Sequence, residues 1–226
     1  MLLSTEPKNT GLVQEREIRI ALDPFVLVGT LALPDAATGM VLFAHGSGSS
    51  RTSPRNRAVA AELQRGQLGT LLLDLLTADE ERVDDDTEEH RFDIDLLAGR
   101  LVSAIDWLKA QRGTRGLPVG LFGASTGAAA ALVAATERTG DVKAVVSRGG
   151  RVDLAGPALA GVQAPTLLIV GERDDFIVEV NDRASIQLRA EKKIEVIPGA
   201  THLFEEPGAL DAVAKAARAW FTRHLH

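Results

Sequence analysis

The strongest constraint on the fold is a regular alternation, from residue 40 onward, of short apolar runs with segments of helical period. The first run, Met40–Ala44, is apolar without interruption, which is typical of a strand buried on both faces of a sheet. The other buried runs are Thr70–Leu73, Val119–Phe122, Val142–Val146 and Thr166–Val170, and Lys193–Ile197 is a more polar edge strand. This order predicts a mostly parallel, doubly wound α/β sheet with helices on both faces.

The segments between these runs carry helix signals. Ser53-Pro54 fits an N-cap residue followed by proline in the first helical turn. Three further helices are predicted within Phe92–Gln111, Ser125–Ala135 and Asp211–Phe221. Ahead of the parallel sheet, two alternating runs, Glu17–Leu22 and Phe25–Leu33, flank an Asp-Pro turn. They predict an N-terminal antiparallel hairpin.

Length and composition limit the function classes. The 226 residues suit one domain over 1–226, in which we expect residues 1–16 to be a loosely ordered N-terminal segment. A net charge of −6 disfavours a nucleic-acid partner, and the absence of cysteine excludes thiol nucleophiles and cysteine metal sites. The N-terminus shows no signal-peptide pattern, so we expect a cytoplasmic protein with no membrane contact. The oligomeric state stays open.

The segment Gly123-Ala124-Ser125-Thr126-Gly127 directly follows a buried strand and opens a helix rich in small residues. This context fits a nucleophile elbow, in which the serine sits on a strained turn and its neighbours must be nearly free of side chain. The pattern predicts Ser125 as a nucleophile. A glycine-rich turn that only packs tightly is the alternative.

A second glycine-rich loop, His45-Gly-Ser-Gly-Ser-Ser50, follows the first buried strand. Backbone N–H groups aimed at one point stabilise the oxyanion formed in acyl transfer. In a nucleophile-elbow fold, one N–H comes from the residue after the nucleophile, here Thr126, and the other from this loop, for which Ser47 is the candidate. We expect His45 to order the loop by hydrogen bonds. A phosphate-binding loop would need the lysine that is absent here, and a flexible turn is the remaining alternative.

Two further polar residues follow predicted strands. Asp174 comes after Thr166–Val170, and His202 comes after the last strand. A serine hydroxyl needs an imidazole to take its proton, and the imidazole needs a carboxylate to fix its tautomer. Because the ends of parallel strands lie on one side of a sheet, Ser125, Asp174 and His202 are predicted to form a triad. Asp175 remains a rival to Asp174 as the acid.

Three motifs carry a family resemblance: His45–Arg51 with Ser53–Asn56, the elbow Gly123–Gly127, and Gly199–Pro207 around His202. Over residues 17–224 the chain resembles the dienelactone-hydrolase-like branch of the α/β-hydrolases. The resemblance implies the α/β-hydrolase fold, without a large lid domain, and the same triad and oxyanion residues. Dienelactone hydrolases proper use a cysteine nucleophile, so lactone specificity is not carried over. Related hydrolase domains also occur joined to phosphoribosyltransferase-like domains, for which we expect no room here.

Three arginines follow predicted strands on the same side of the sheet. Arg51 and Arg148, with Arg151, are candidates to bind a substrate carboxylate at the mouth of the site. The alternative is that they pair with an acidic segment, residues 79–93, which holds nine acidic residues and two arginines. This segment is predicted to be a solvated loop on the rim of the site, and we expect it to disfavour anionic substrates there.

Together these residues predict a serine hydrolase that cleaves a small carboxylic ester or thioester through an acyl-enzyme. No cofactor and no metal are expected. Two alternatives stay open: the same triad acting on a lactone, an amide or peptide, or a C–C bond, and a binding protein of the same fold with an idle site. The sequence does not identify the physiological substrate.

Overall fold

An eight-stranded sheet forms the centre of the computed structural model, which describes residues 13–226. The strands are β1 (Glu15–Leu22), β2 (Phe25–Ala32), β3 (Gly39–Ala44), β4 (Leu68–Leu73), β5 (Val119–Ala124), β6 (Val142–Arg148), β7 (Thr166–Gly171) and β8 (Lys192–Ile197). They lie in the order β1-β2-β4-β3-β5-β6-β7-β8. The hairpin β1-β2 joins β4 in antiparallel pairing, and all other neighbours are parallel. The predicted fold class and the hairpin are confirmed.

Six α-helices cover the two faces of the sheet. They are α1 (Pro54–Arg65), α2 (Ala78–Thr87), α3 (Ile94–Ala110), α4 (Thr126–Glu137), α5 (Asp175–Gln187) and α6 (Ala209–His224). One apolar core packs α3, α4 and α5 against the sheet, and a second packs α1 and α6 against the opposite face. Successive strand residues serve opposite cores, as Leu42 and Phe43 do, which explains why these strands are apolar throughout.

Ser53 caps α1 as predicted: its hydroxyl accepts the N–H of Asn56, and Pro54 starts the helix. The strand β1 starts at Glu15, and Glu15 and Arg16 pair with β2. The expectation that 1–16 is loosely ordered is therefore wrong for these two residues, and for residues 1–12 it lies outside the described residues.

The prediction of a solvated loop over residues 79–93 is wrong for its first part, which forms α2. Val83 is the one large apolar residue in α2, so no apolar stripe announces the helix. A capping box holds it instead, because the Thr77 hydroxyl accepts the N–H of Glu80 while the Glu80 carboxylate accepts the N–H of Thr77. Glu80 also binds the buried Arg100 of α3, which donates to the carbonyl of Leu75. Arg100 of α3 thus links α2 to the segment that follows β4.

Two further helical segments were not predicted from the sequence. One is α5, where the fully buried Asn181 donates to the carbonyl of Gly150 and so interrupts the apolar stripe. The other is a 3₁₀ segment, Val152–Gly161, which kinks at Gly156. Both follow strand ends on the side of the sheet where the candidate triad lies.

At the rim of this side, the described residues carry the ten-residue α2 rather than a lid domain. Within residues 13–226, every helix falls short of the length and apolarity needed to cross a bilayer.

The Glu80 contacts make stability depend on pH. Burial alone would raise the pKa of Glu80, but hydrogen bonds from Arg100 and Thr77 outweigh it and lower the pKa to about 2. A carboxyl group that is more acidic in the folded state contributes stability above its unfolded pKa, and this stability is lost as the pH falls from about 4.5 toward about 2. Urea unfolding should therefore show a smaller loss between pH 5 and 3 for Glu80→Gln than for wild type.

The control is Asp79→Asn, which removes an exposed carboxylate from the same turn of α2. It should keep the wild-type pH dependence. If Glu80→Gln and wild type lost equal stability between pH 5 and 3, the assignment of this pH dependence to Glu80 would be contradicted.

Candidate active site

Ser125 lies at a sharp turn between β5 and α4, with φ of 51° and ψ of −120°. Few L-residues adopt a positive φ, so surrounding contacts must hold this conformation. The glycines on either side explain how it fits. A Cβ at Gly123 would lie 2.4 Å from the Cα of Ala128, and one at Gly127 would lie 2.4 Å from the carbonyl oxygens of Ala44 and His45. No other residue fits these two positions without moving β3 or α4.

Backbone hydrogen bonds fix the elbow to the neighbouring strand. The N–H of Ser125 donates to the carbonyl of Arg148 at 3.2 Å, and the N–H of Arg151 donates to the carbonyl of Ser125 at 3.0 Å. On the other side, a Cβ at Gly46 would lie 3.0 Å from the Cβ of Ser125. The serine is thus enclosed between the end of β6 and the loop that follows β3.

The oxyanion loop, His45–Ser50, lies against the start of α4. The hydroxyls of Ser47 and Thr126 are 3.1 Å apart and share a hydrogen bond, so the structure brings the two predicted oxyanion residues together. The buried His45 accepts the N–H of Leu75 at Nε2, and its Nδ1–H donates to the carbonyl of Gly46. Burial lowers the pKa of His45, which keeps the ring neutral in this tautomer. The predicted ordering of the loop by His45 is confirmed.

Asp174 and His202 form the central polar pair of the site. The Nδ1–H of His202 donates to Oδ2 of Asp174 at 2.6 Å, and Asp174 is the N-cap residue of α5 at the end of β7. The aspartate side chain is 13% exposed and that of the histidine 40%. Asp175, the first residue of α5, is exposed, and its side chain has no hydrogen bond or ion pair among residues 13–226. The geometry therefore favours Asp174 over Asp175 as the partner of His202.

The loop that carries His202 is held from both ends. Glu206 accepts the N–H and the hydroxyl of Thr201, and the N–H of Arg173 donates to the carbonyl of Ala200. The ring of His202 faces the end of β6, since a Cβ at Gly149 would lie 3.5 Å from its Cε1. Gly149 follows Arg148, whose carbonyl binds Ser125, so the imidazole lies beside the elbow.

The hydroxyl of Ser125 makes no hydrogen bond to His202 in the described part of the chain. Catalytic hydrogen bonds are often long without substrate and tighten in the complex. The structure thus pairs two of the three predicted triad residues, and it places the ring of His202 at the end of β6 that also binds the backbone of Ser125.

The arginines lie elsewhere than predicted. Arg51 donates to Asp74 at 2.7 and 2.9 Å and to Glu17 at 3.1 Å, and Arg151 pairs with Asp153 at 2.8 Å. Pairing with the acidic segment 79–93 is therefore wrong for both residues. Because the guanidinium of Arg51 is already paired, no substrate role follows for it.

Arg148 is 8% exposed, and its Nη1 has no hydrogen-bond partner among residues 13–226. Burial and the nearby Arg55 charge lower its pKa to about 10. By the alternation of β6, its side chain shares a face with Ala144 and Val146, which pack on the α1 and α6 side. Neither Arg148 nor Arg51 lines the cavity described next.

A cavity of about 260 Å³ opens beside the elbow and is lined by Thr126 but not by Ser125, Asp174 or His202. It is called the catalytic cavity below, after the predicted site that it adjoins. Its lining comprises the oxyanion loop, Thr126, the leucines Leu75, Leu76 and Leu97, and the charged residues Glu81, Asp84, Asp85 and Arg91. Glu81, Asp84, Asp85 and Arg91 belong to the acidic segment that was predicted at the rim of the site, whereas the three leucines were not predicted there. The apolar pair Leu75-Leu76, which continues beyond the end of β4, was the one signal available for this wall.

The described residues hold no group of three or more His, Asp or Glu side chains placed to bind a metal ion.

The family model and the solved structures that this chain resembles agree with each other. Residues 58–226 match the model of the dienelactone hydrolase family. A crystal structure of a dienelactone hydrolase from Anabaena variabilis is 56% identical, with a TM-score of 0.93 over 95% of this chain and 99% of that one. Est1E from Butyrivibrio proteoclasticus shares the fold at 17% identity, with a TM-score of 0.76 over 92% of this chain and 98% of that one.

The curated relatives are longer proteins. Two Mycobacterium tuberculosis proteins, each named a putative phosphoribosyl transferase, are 53% identical over 213 residues. The match covers 94% of this chain but 47% of each relative, so the chain spans about half their length.

The close contacts at the elbow predict a large difference between two glycine substitutions. Gly127→Ala places a methyl group against two backbone carbonyls and should lower stability by at least about 2 kcal/mol, seen as a lower Tm. The control is Gly99→Ala, an open position inside α3, which should raise stability by about 0.5–1 kcal/mol. An unchanged Tm for Gly127→Ala would show that the elbow tolerates a side chain.

Proposed function

The chain belongs to the dienelactone hydrolase family, and from this premise we propose that it is a serine hydrolase acting on small carboxylic esters or thioesters. The observation that carries the proposal is the 2.6 Å hydrogen bond between His202 and Asp174 beside the strained Ser125. A largely buried carboxylate on the imidazole of a partly exposed histidine, next to a serine at an elbow, is the arrangement that activates a serine nucleophile.

The reaction follows from these positions. The Asp174 carboxylate only accepts hydrogen bonds, so it fixes the proton of His202 on Nδ1 and leaves Nε2 free as a base. Nε2 takes the proton of Ser125 as the oxygen attacks the carbonyl carbon, and returns it to the departing alcohol or thiol. Water then attacks the acyl-enzyme, assisted by the same base. The acid is released and the serine is regenerated.

We assign the oxyanion hole to the backbone N–H groups of Ser47 and Thr126. The hydrogen bond between their hydroxyls holds the loop and the start of α4 at a fixed separation. Thr126 is the first residue of α4, so the partial positive charge of the helix N-terminus adds to the stabilisation of the oxyanion.

A lactone is the second candidate substrate. The Anabaena protein that is 56% identical to this chain bears the name dienelactone hydrolase, and a lactone is a cyclic ester that the same triad would open. The name of the longer mycobacterial relatives refers to proteins about twice this length. We do not propose a phosphoribosyltransferase activity for this chain, because a serine, a histidine and an aspartate in this arrangement catalyse acyl transfer.

A serine-directed fluorophosphonate tests the nucleophile. Wild type should gain one phosphonyl group by intact mass, and peptide mapping should place it on Ser125, because the elbow exposes this hydroxyl beside a base. Ser125→Ala should remain unlabelled. The same substitution should abolish hydrolysis of p-nitrophenyl acetate and butyrate while leaving the Tm close to that of wild type.

A wild type that is neither labelled nor active on short esters would contradict the proposal and favour a binding protein with an idle site. Labelling of another serine would contradict the assignment of Ser125.

Separate substitutions test the acid. Asp174→Asn leaves His202 without a carboxylate and should lower kcat by about 10³-fold or more, as expected when the imidazole loses its tautomer control. The neighbouring Asp175→Asn is the matched control and should change kcat by less than about threefold, because this side chain is exposed. A large loss of kcat in Asp175→Asn and a small one in Asp174→Asn would assign the role of the acid to Asp175.

A further inference from the structure

The catalytic cavity begins at the oxyanion loop and at Thr126, the residue after the nucleophile. Any ester bound with its carbonyl at the oxyanion hole therefore extends one of its two substituents into this space. The three leucines provide an apolar wall for such a substituent, and α2 provides a charged one. The charged wall decides which substituents are accepted.

Most of the charge on this wall is already paired. Asp84 is buried and accepts the N–H groups of His90 and Arg91, each at 2.8 Å, and its other oxygen accepts Nε of Arg91 at 2.7 Å. Arg91 also donates to the carbonyl of Asp84 and lies near Glu88 and Asp85. These contacts close the C-terminal end of α2 onto the following turn. The one cation in the cavity lining, Arg91, is thus neutralised by carboxylates of its own segment.

Glu81 is different. It lies one helical turn before Asp85 and is partly buried, and its side chain has no hydrogen bond or ion pair with any residue in 13–226. Burial raises its pKa, and the carboxylates of Asp74, Asp85 and Asp84 raise it further. Asp74 is itself paired with Arg51. The cavity therefore has a negative wall with one uncompensated carboxylate.

We propose that Glu81 is a specificity-determining residue that selects substrates bearing a cationic group, such as an alkylammonium, on the substituent that enters the catalytic cavity. The inference rests on the proposed ester hydrolysis and assigns the substrate class of the same site. The cation would replace the missing partner of Glu81, while the leucines would contact the carbon chain between the cation and the ester. An anionic substituent would meet repulsion at the same wall.

Matched pairs of esters test whether Glu81 selects substrates with a cationic group. One pair varies the alcohol side: acetylthiocholine and its neutral isostere S-(3,3-dimethylbutyl) thioacetate. Another varies the acyl side: p-nitrophenyl esters of straight-chain acids that end in trimethylammonium, tert-butyl or carboxylate. In low salt, wild type should show about tenfold higher kcat/KM for the cationic member of at least one pair, the value expected for a charge-assisted contact. If the preference appears in the acyl pair, the acyl chain lies in the cavity; if it appears in the alcohol pair, the alcohol part does.

Glu81→Gln should reduce this preference to less than about twofold, because kcat/KM should fall more for the cationic ester than for the neutral one. The control Asp86→Asn removes one negative charge from the same helix at an exposed position outside the cavity lining. It should keep the wild-type preference. Added salt should weaken the preference in wild type more than in Glu81→Gln.

The outcomes separate this inference from the proposed function. An enzyme that is labelled at Ser125 and hydrolyses neutral esters, but shows no preference for the cationic members, overturns the role of Glu81 alone. Equal losses in Glu81→Gln and Asp86→Asn also overturn it, because they would indicate the overall field of α2. If wild type hydrolyses none of the esters and is not labelled, the proposed hydrolysis fails and this inference with it.

Discussion

The site depends on the close approach of backbone around Ser125. Gly127 lies so near the carbonyls of Ala44 and His45, and Gly123 so near Ala128, that β3, β5 and α4 occupy one fixed arrangement. This packing holds Ser125 at a positive φ that it would not adopt alone, and the contact of Ser47 with Thr126 follows from the same approach. Ser125, the proposed nucleophile, and the proposed oxyanion donors are therefore positioned by the core of the fold rather than by mobile loops.

The rest of the triad comes from strand ends further along the same sheet. Asp174 is placed by β7 and the start of α5, and His202 by a loop that Glu206 and Arg173 hold closed. In contrast, the wall that faces the substrate belongs to α2, which the capping box and Arg100 attach to the sheet. We infer a division between a rigid set of reacting groups and a short helix whose charges determine which substituents bind.

The sequence predicted the sheet and the candidate triad because each feature is local: buried strands are apolar runs, and each triad residue directly follows one. It missed α2, which lacks an apolar stripe and is held by capping and by Arg100, and it missed α5, where Asn181 bonds to a distant carbonyl. Arg148 was expected at the mouth, but its position along β6 directs it to the opposite face. The cavity and the unpaired state of Glu81 depend on contacts between segments distant in sequence, which no local pattern records.

The most direct test of acyl transfer by Ser125 is to observe the acyl-enzyme itself. Wild type mixed with excess p-nitrophenyl butyrate should release p-nitrophenol in a burst of about one equivalent when deacylation is slower than acylation. Rapid acid quench, intact mass and peptide mapping should find one butyryl group on the peptide that contains Ser125. A burst of p-nitrophenol without any covalent adduct, or an adduct on another residue, would contradict the central claim.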